Sequence, residues 1–131
     1  MIKTPFLACA LALMTVPAAW SLAAGQAPPA GAEQTVDIAA ERFSFTPSEV
    51  RTRVGTTLTI RLTSDDTAHG FRIIGGNVNI EIPKRSRGVA TVTFTPEKAG
   101  RYTFECSRLC GAGHSFMRGV IVVEDRAKDG Q

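Results

Sequence analysis

Thr57-Leu-Thr-Ile-Arg-Leu-Thr63 decides the fold. Its apolar residues, Leu58, Ile60 and Leu62, alternate with threonines and one arginine. A period of two puts the three apolar side chains on one face of an extended strand and the polar set on the other. The same alternation returns in Val36 and Ile38, in Ala90-Thr-Val-Thr-Phe94 and in Tyr102-Thr-Phe-Glu-Cys106. β-Branched residues are frequent in these runs, as a pleated, half-buried surface prefers. Turn residues separate them at Thr46-Pro47-Ser48, Val54-Gly55, Gly75-Gly76-Asn77, Pro83-Lys84 and Lys98-Ala99-Gly100. Residues 118–124 close the set as a more buried strand. The sequence shows neither an amphipathic helical period nor an internal repeat. Short strands at this spacing predict an all-β sandwich or barrel over residues 35–125.

Composition bounds the rest. A chain of 131 residues with 44% hydrophobic and 21% charged residues makes one small folded domain. It is too short for a TIM barrel, a kinase or a two-domain dehydrogenase. The net charge of +3 is spread out, and no basic run exceeds Lys84-Arg85, so nucleic acid is not an expected partner.

The N-terminus has a different character. Lys3, the apolar stretch from Phe6 to Val16, the break at Pro17 and the small residues of Ser21-Leu22-Ala23 predict a secretory signal over residues 1–24. The rival is a retained membrane anchor, against which stand the alanine-rich composition, Pro5 and Pro17. Cys9 reads as leader packing. Residues 25–34 read as a linker and 126–131 as a tail. Either way the domain is expected to be exported, in a periplasm or on the outer face of the inner membrane, where disulfides are allowed.

Chemistry concentrates in Cys106-Ser-Arg-Leu-Cys110-Gly-Ala-Gly-His114-Ser-Phe-Met117. Gly111 and Gly113 allow the backbone to fold back so that these side chains converge. The other histidine, His69, sits in Asp65-Asp-Thr-Ala-His-Gly70, expected as a loop at the end of the Leu58 strand. A Cys106–Cys110 disulfide is one reading, but it closes a very short loop and stabilises little. A closed Cys₂His₂ zinc site is a second, and it leaves Met117 idle. A catalytic Cys–His pair is a third, without a substrate cleft to serve. Copper is a fourth, because thiolate, imidazole and thioether together are the set that soft copper selects. Two thiolates facing two histidines can bridge two copper ions, with Met117 as a weak axial ligand.

Cys-x₃-Cys-x₃-His-x₂-Met after an upstream Asp-x-x-His resembles the CuA site of cytochrome c oxidase subunit II. It also resembles the C-terminal domain of nitrous oxide reductase. Phe43-Ser-Phe-Thr-Pro-Ser-Glu-Val50, Thr63-Ser-Asp-Asp-Thr-Ala-His-Gly-Phe71 and Asn77-Val-Asn-Ile80 are similar to the short subunit II of ba-type oxidases. The resemblance implies a cupredoxin-like Greek-key β sandwich. It implies that Cys106 and Cys110 bridge two copper ions and that His69 and His114 bind one each. Met117 and the backbone carbonyl of Arg108 would be weak ligands. It implies single-electron transfer from a donor such as cytochrome c to an acceptor such as a terminal oxidase. The chain would then be an electron-entry module with no catalytic residues of its own. A periplasmic copper-delivery protein is the alternative.

The sequence departs from the family in three ways, the first being that the family's membrane helices are reduced to the one N-terminal segment. Arg108 stands where larger oxidases carry a glutamate that reaches magnesium. The family's electron-receiving tryptophan is missing, since Trp20 lies in the leader and Phe43 and Phe45 fill the related segment. Arg72, Arg108 and Arg118 surround the cysteine segment, either as a basic rim or as partners of Asp65, Asp66 or Glu105.

Overall fold

The computed structural model describes residues 31–125. The expected signal or anchor, residues 25–30 of the expected linker, the tail, Cys9 and Trp20 lie outside the described residues. Among the described residues no helix is long and apolar enough to cross a membrane.

Two sheets face each other. One has the order β2-β1-β4-β7, built from β1 (Glu33–Glu41), β2 (Ser44–Thr46), β4 (Thr57–Ser64) and β7 (Ala90–Phe94). The other has the order β3-β9-β8-β5-β6. Its strands are β3 (Glu49–Arg53), β9 (Arg118–Glu124), β8 (Gly100–Glu105), β5 (His69–Ile73) and β6 (Val78–Ile82). β1 runs parallel to β4, and β3 runs parallel to β9. The remaining pairings are antiparallel. The chain crosses to the second sheet for β3, returns for β4, crosses for β5 and β6, returns for β7 and crosses again before β8. This is the expected Greek-key β sandwich, not a barrel.

The alternation behaves as expected. Leu58, Ile60 and Leu62 are fully buried while Arg61 and Thr63 are exposed. The strand begins earlier than the expected linker allows. β1 starts at Glu33, because Glu33 and Gln34 pair with Thr57 and Leu58 through backbone alone, which asks nothing of side-chain polarity. Strands β3, β5 and β6 carry charged or polar residues on their outer faces and have weaker periodic signals than β4.

Three phenylalanines hold the site-bearing end of the sandwich. Phe45 on β2 lies edge-on to Phe71 on β5 and to Phe104 on β8, with centroids 5.8 and 5.3 Å apart. Phe71 and Phe104 are 5.1 Å apart. Each ring removes a large apolar area from water and adds a favourable edge contact. Phe104 also requires its neighbour to be a glycine, since a Cβ on Gly119 would stand 2.2 Å from the Phe104 ring. Phe104→Ala should therefore cost about 3–5 kcal/mol, measured by urea unfolding of the metal-free domain. A loss below about 1 kcal/mol would show that the triad does not support this end of the fold.

Candidate metal centre

His69 is the first residue of β5, not a loop residue at the end of the Leu58 strand. The chain leaves β4 at Ser64, crosses to the other sheet and re-enters extended structure at His69 itself. The side chain is fully buried. Its Nε2 lies 2.7 Å from Asp66 Oδ1. Burial pushes the Asp66 carboxyl up, but hydrogen bonds from the His69 ring and from the backbone N–H groups of Arg42 and Thr67 outweigh it and hold it at about 2. An ionised carboxylate only accepts, so the neutral ring carries its proton on Nε2. Nδ1 then offers its lone pair to the interior, 4.0 Å from Cys106 Sγ.

Cys106 and Met117 face each other where the β8–β9 hairpin opens. The last ladder pair is Glu105 opposite Arg118. One residue further, the Cys106 N–H donates to the Met117 carbonyl at 3.1 Å. The intervening segment contains Cys110 and a 3₁₀ turn, His114–Phe116. Gly111 has φ of +146°, and a Cβ on Gly113 would stand 2.3 Å from the Phe43 ring. Both glycines are therefore demanded, one by backbone conformation and both by the approach of Phe43.

The expected site residues come together. Cys106 Sγ and Cys110 Sγ stand 3.8 Å apart, both as free thiols. A disulfide sulfur pair would be at about 2.05 Å. Cys110 Sγ lies 3.8 Å from His114 Nδ1 and 3.9 Å from Met117 Sδ. The Arg108 carbonyl oxygen lies 3.1 Å from Cys106 Sγ. His69, Cys106 and Cys110 offer donor atoms all within 4.8 Å of one another, a spacing that can hold a metal ion. Met117 is completely buried, His114 is half-buried, and the two sulfurs are nearly sealed from water.

Burial pushes the Cys110 thiol up to about 11, and the neighbouring Cys106 adds to the rise. The metal-free protein therefore keeps Cys110 protonated at neutral pH, and a metal must displace that proton.

Gly70 and Arg42 are the positions that the sequence reading did not single out. The Gly70 N–H points at Cys106 Sγ from 3.5 Å. A Cβ there would stand 2.6 Å from the Arg108 nitrogen and 2.8 Å from the Ser107 nitrogen. A glycine inside a strand is the sequence signal of such an approach. Arg42 donates from Nε to the Cys110 carbonyl at 2.7 Å, across 68 residues of chain, and no local pattern announces it.

The basic rim is largely neutralised, with one partner that the sequence did not indicate. Arg72 and Arg118 both pair with Glu105. Arg108 pairs with Glu81 on β6. Beside these pairs Leu109 and Phe116 are 81% and 82% exposed, so the surface over the centre is apolar at its middle.

Known proteins agree with this architecture. The cupredoxin-like domain family matches residues 10–123, and the chain belongs to that family. It is 34% identical over 93 residues to a cytochrome c oxidase subunit 2 of Thermus thermophilus, covering 71% of this chain and 67% of that one. It is 33% identical over 98 residues to a nitrous-oxide reductase of Cupriavidus necator, covering 72% of this chain but 15% of the reductase. A heme-copper terminal oxidase dimer solved by cryo-electron microscopy contains a chain with a TM-score of 0.62 and 31% identity. That match covers 70% of this chain and 65% of the oxidase chain. The fold is thus that of copper electron-transfer domains.

Asp66 gives a pH signature. Its depressed carboxyl contributes stability that is complete above the ordinary value of 3.8 and is lost as pH falls toward about 2. Unfolding of the metal-free domain across the acid range should show this loss. Asp66→Asn should be less stable at neutral pH and should lack that part of the acid slope. An identical acid profile in the variant would show that Asp66 does not carry the effect.

Proposed function

We propose that this domain binds two copper ions in one CuA-type centre and passes single electrons from a donor such as cytochrome c to an acceptor such as a terminal oxidase. The observation that carries the reading is the second sulfur. Cys106 lies 3.8 Å from Cys110, and each has its own imidazole Nδ1 at 4.0 and 3.8 Å, His69 for Cys106 and His114 for Cys110. Cys106, Cys110, His69 and His114 would hold the two ions, with Met117 and the Arg108 carbonyl as weaker ligands. When bound, copper supplies reversible one-electron chemistry.

This chain's residues do the rest. Asp66 orients His69 and fixes its tautomer, as a carboxylate beyond a metal-binding imidazole does. The Gly70 N–H stabilises charge on Cys106. The strands keep the donors in place whether or not an electron is present, so little has to reorganise. His114, half-buried, is the natural exit toward a partner.

A closed zinc site would use the same two cysteines and two histidines. Met117 favours copper, since its thioether is sealed in the interior 3.9 Å from Cys110 Sγ. A copper-delivery protein is disfavoured by the burial of His69, Cys106, Cys110 and Met117, because handing over a metal requires an exposed site. The expected leader fits an exported domain of this kind, soluble or anchored outside the inner membrane.

The reduced domain should take up two copper ions per chain, turn purple and share its unpaired electron equally between both nuclei. Cys106→Ser should abolish this spectrum, while Met117→Leu should keep both ions and shift the potential. Metal analysis with electron paramagnetic resonance checks all three. A single copper with a blue mononuclear spectrum, or preferential retention of zinc, would sink the proposal.

Donor docking should depend weakly on salt. With Arg72, Arg118 and Arg108 paired, the apolar middle of Leu109 and Phe116 dominates the encounter, and screening has little field to remove. Stopped-flow mixing with basic and acidic cytochromes across ionic strength tests this. A steep fall in rate with salt for a basic cytochrome would reveal an acidic docking face instead.

A further inference from the structure

Arg42 lies in the turn between β1 and β2, outside the ligand motifs. Its backbone N–H donates to Asp66 Oδ2 at 3.0 Å, and the other oxygen of that carboxylate meets His69 Nε2 at 2.7 Å. Its side chain turns toward the second ligand segment, where Nε donates to the Cys110 carbonyl at 2.7 Å. One residue thus reaches the histidine on β5 and the cysteine in the β8–β9 connection.

The bonded carbonyl matters because of where it lies. It belongs to the peptide that joins Cys110 to Gly111, the residue with φ of +146° where the segment folds back. Glycine has more conformational freedom than any other residue, so a restraint on its preceding peptide removes more motion there than elsewhere. Beyond it, the local backbone bonds are His114 N–H to Gly111 O at 3.1 Å, Phe116 N–H to Gly113 O at 3.0 Å and Met117 N–H to His114 O at 3.2 Å. Those bonds shape the 3₁₀ turn internally and leave its attachment to the sandwich to other contacts. The guanidinium supplies one through a charge-assisted hydrogen bond, and Phe43 packs beside it against Gly111 and Gly113.

We infer that Arg42 is a positioning residue for the metal centre, latching the Cys110 segment to the His69 side and fixing a permanent positive charge beside the Cys110 sulfur. The redox consequence rests on the copper reading above, whereas the latch concerns the polypeptide alone. A guanidinium does not lose its proton in a protein. Its field favours the state of the centre that holds one more electron, so it raises the reduction potential.

Arg42→Met and Arg42→Lys test this. Arg42 is an exposed residue outside the hydrophobic core, so the core remains intact in both. In the metal-free protein, Arg42→Met should raise amide hydrogen exchange across residues 110–114. In the copper-loaded protein it should speed copper release to a chelator about tenfold, the equivalent of roughly 1.4 kcal/mol of lost hydrogen bonding. Its potential should fall. Arg42→Lys should restore the potential toward wild type, because the charge returns, while exchange in the loop stays raised. Wild-type exchange and wild-type potential in Arg42→Met would overturn the inference. A loosened loop in Arg42→Met, with no copper uptake by the wild-type domain, would uphold the latch and refute the copper reading. Normal copper uptake with unchanged exchange in Arg42→Met would refute the latch alone.

Discussion

β5 and β8 meet with Arg72 opposite Glu105 and Ile73 opposite Phe104, and this short ladder determines how the two ligand segments face each other. Strand side chains alternate between faces, so a slip of one residue would turn His69 or Cys106 away from the centre. Phe71 and Phe104 sit on the core face of the same strands, packed against Phe45 from the opposite sheet, and resist such a slip. Gly70 completes the fit, since the Ser107–Arg108 backbone occupies the space that a side chain there would need. The β8–β9 hairpin then brings Met117 across from Cys106 through its own register. The convergence of these side chains therefore follows from strand pairing and register.

A cluster of polar groups inside a sandwich normally costs stability. Here the cost is small because most members are soft. Free thiols and thioethers tolerate burial almost as apolar groups do. His69 is the exception, fully buried and strongly polar, and Asp66 satisfies it at 2.7 Å. Asp66 in turn is held by two backbone N–H groups and by Ser64, whose hydroxyl lies 3.3 Å from Oδ1. The donors consequently sit in a preformed arrangement, which is what electron transfer with little reorganisation requires.

The surface over the centre follows a different economy. Its ion pairs are exposed or partly exposed, and such pairs are worth roughly 0–1 kcal/mol each. Their importance is electrostatic rather than structural: they cancel most of the field that three arginines would otherwise project. Glu105 achieves much of this because the ladders place Arg72 and Arg118 on its two sides. Glu81 does the same for Arg108 from β6. What remains for a partner to meet is an apolar middle formed by Leu109 and Phe116.

The sequence by itself determined the all-β class, the family and the cysteine–histidine–methionine cluster as the candidate site. Alternation in Thr57–Thr63 and its counterparts is local, as is the spacing of Cys106, Cys110, His114 and Met117, and local patterns survive in a linear reading. His69 was identifiable as a donor, but its position at the head of β5 was not, because β5 carries Arg72 and His69 among its apolar residues and breaks the simple alternation. Tertiary structure alone decided which arginines pair with which acids. It also decided that Arg42 reaches Cys110 and that Gly70 is pressed against Ser107 and Arg108. The physical reason is the same in each case. These contacts join residues separated by tens of positions, and their partners are set by strand order and register, which are properties of the whole chain and leave no periodic trace along it.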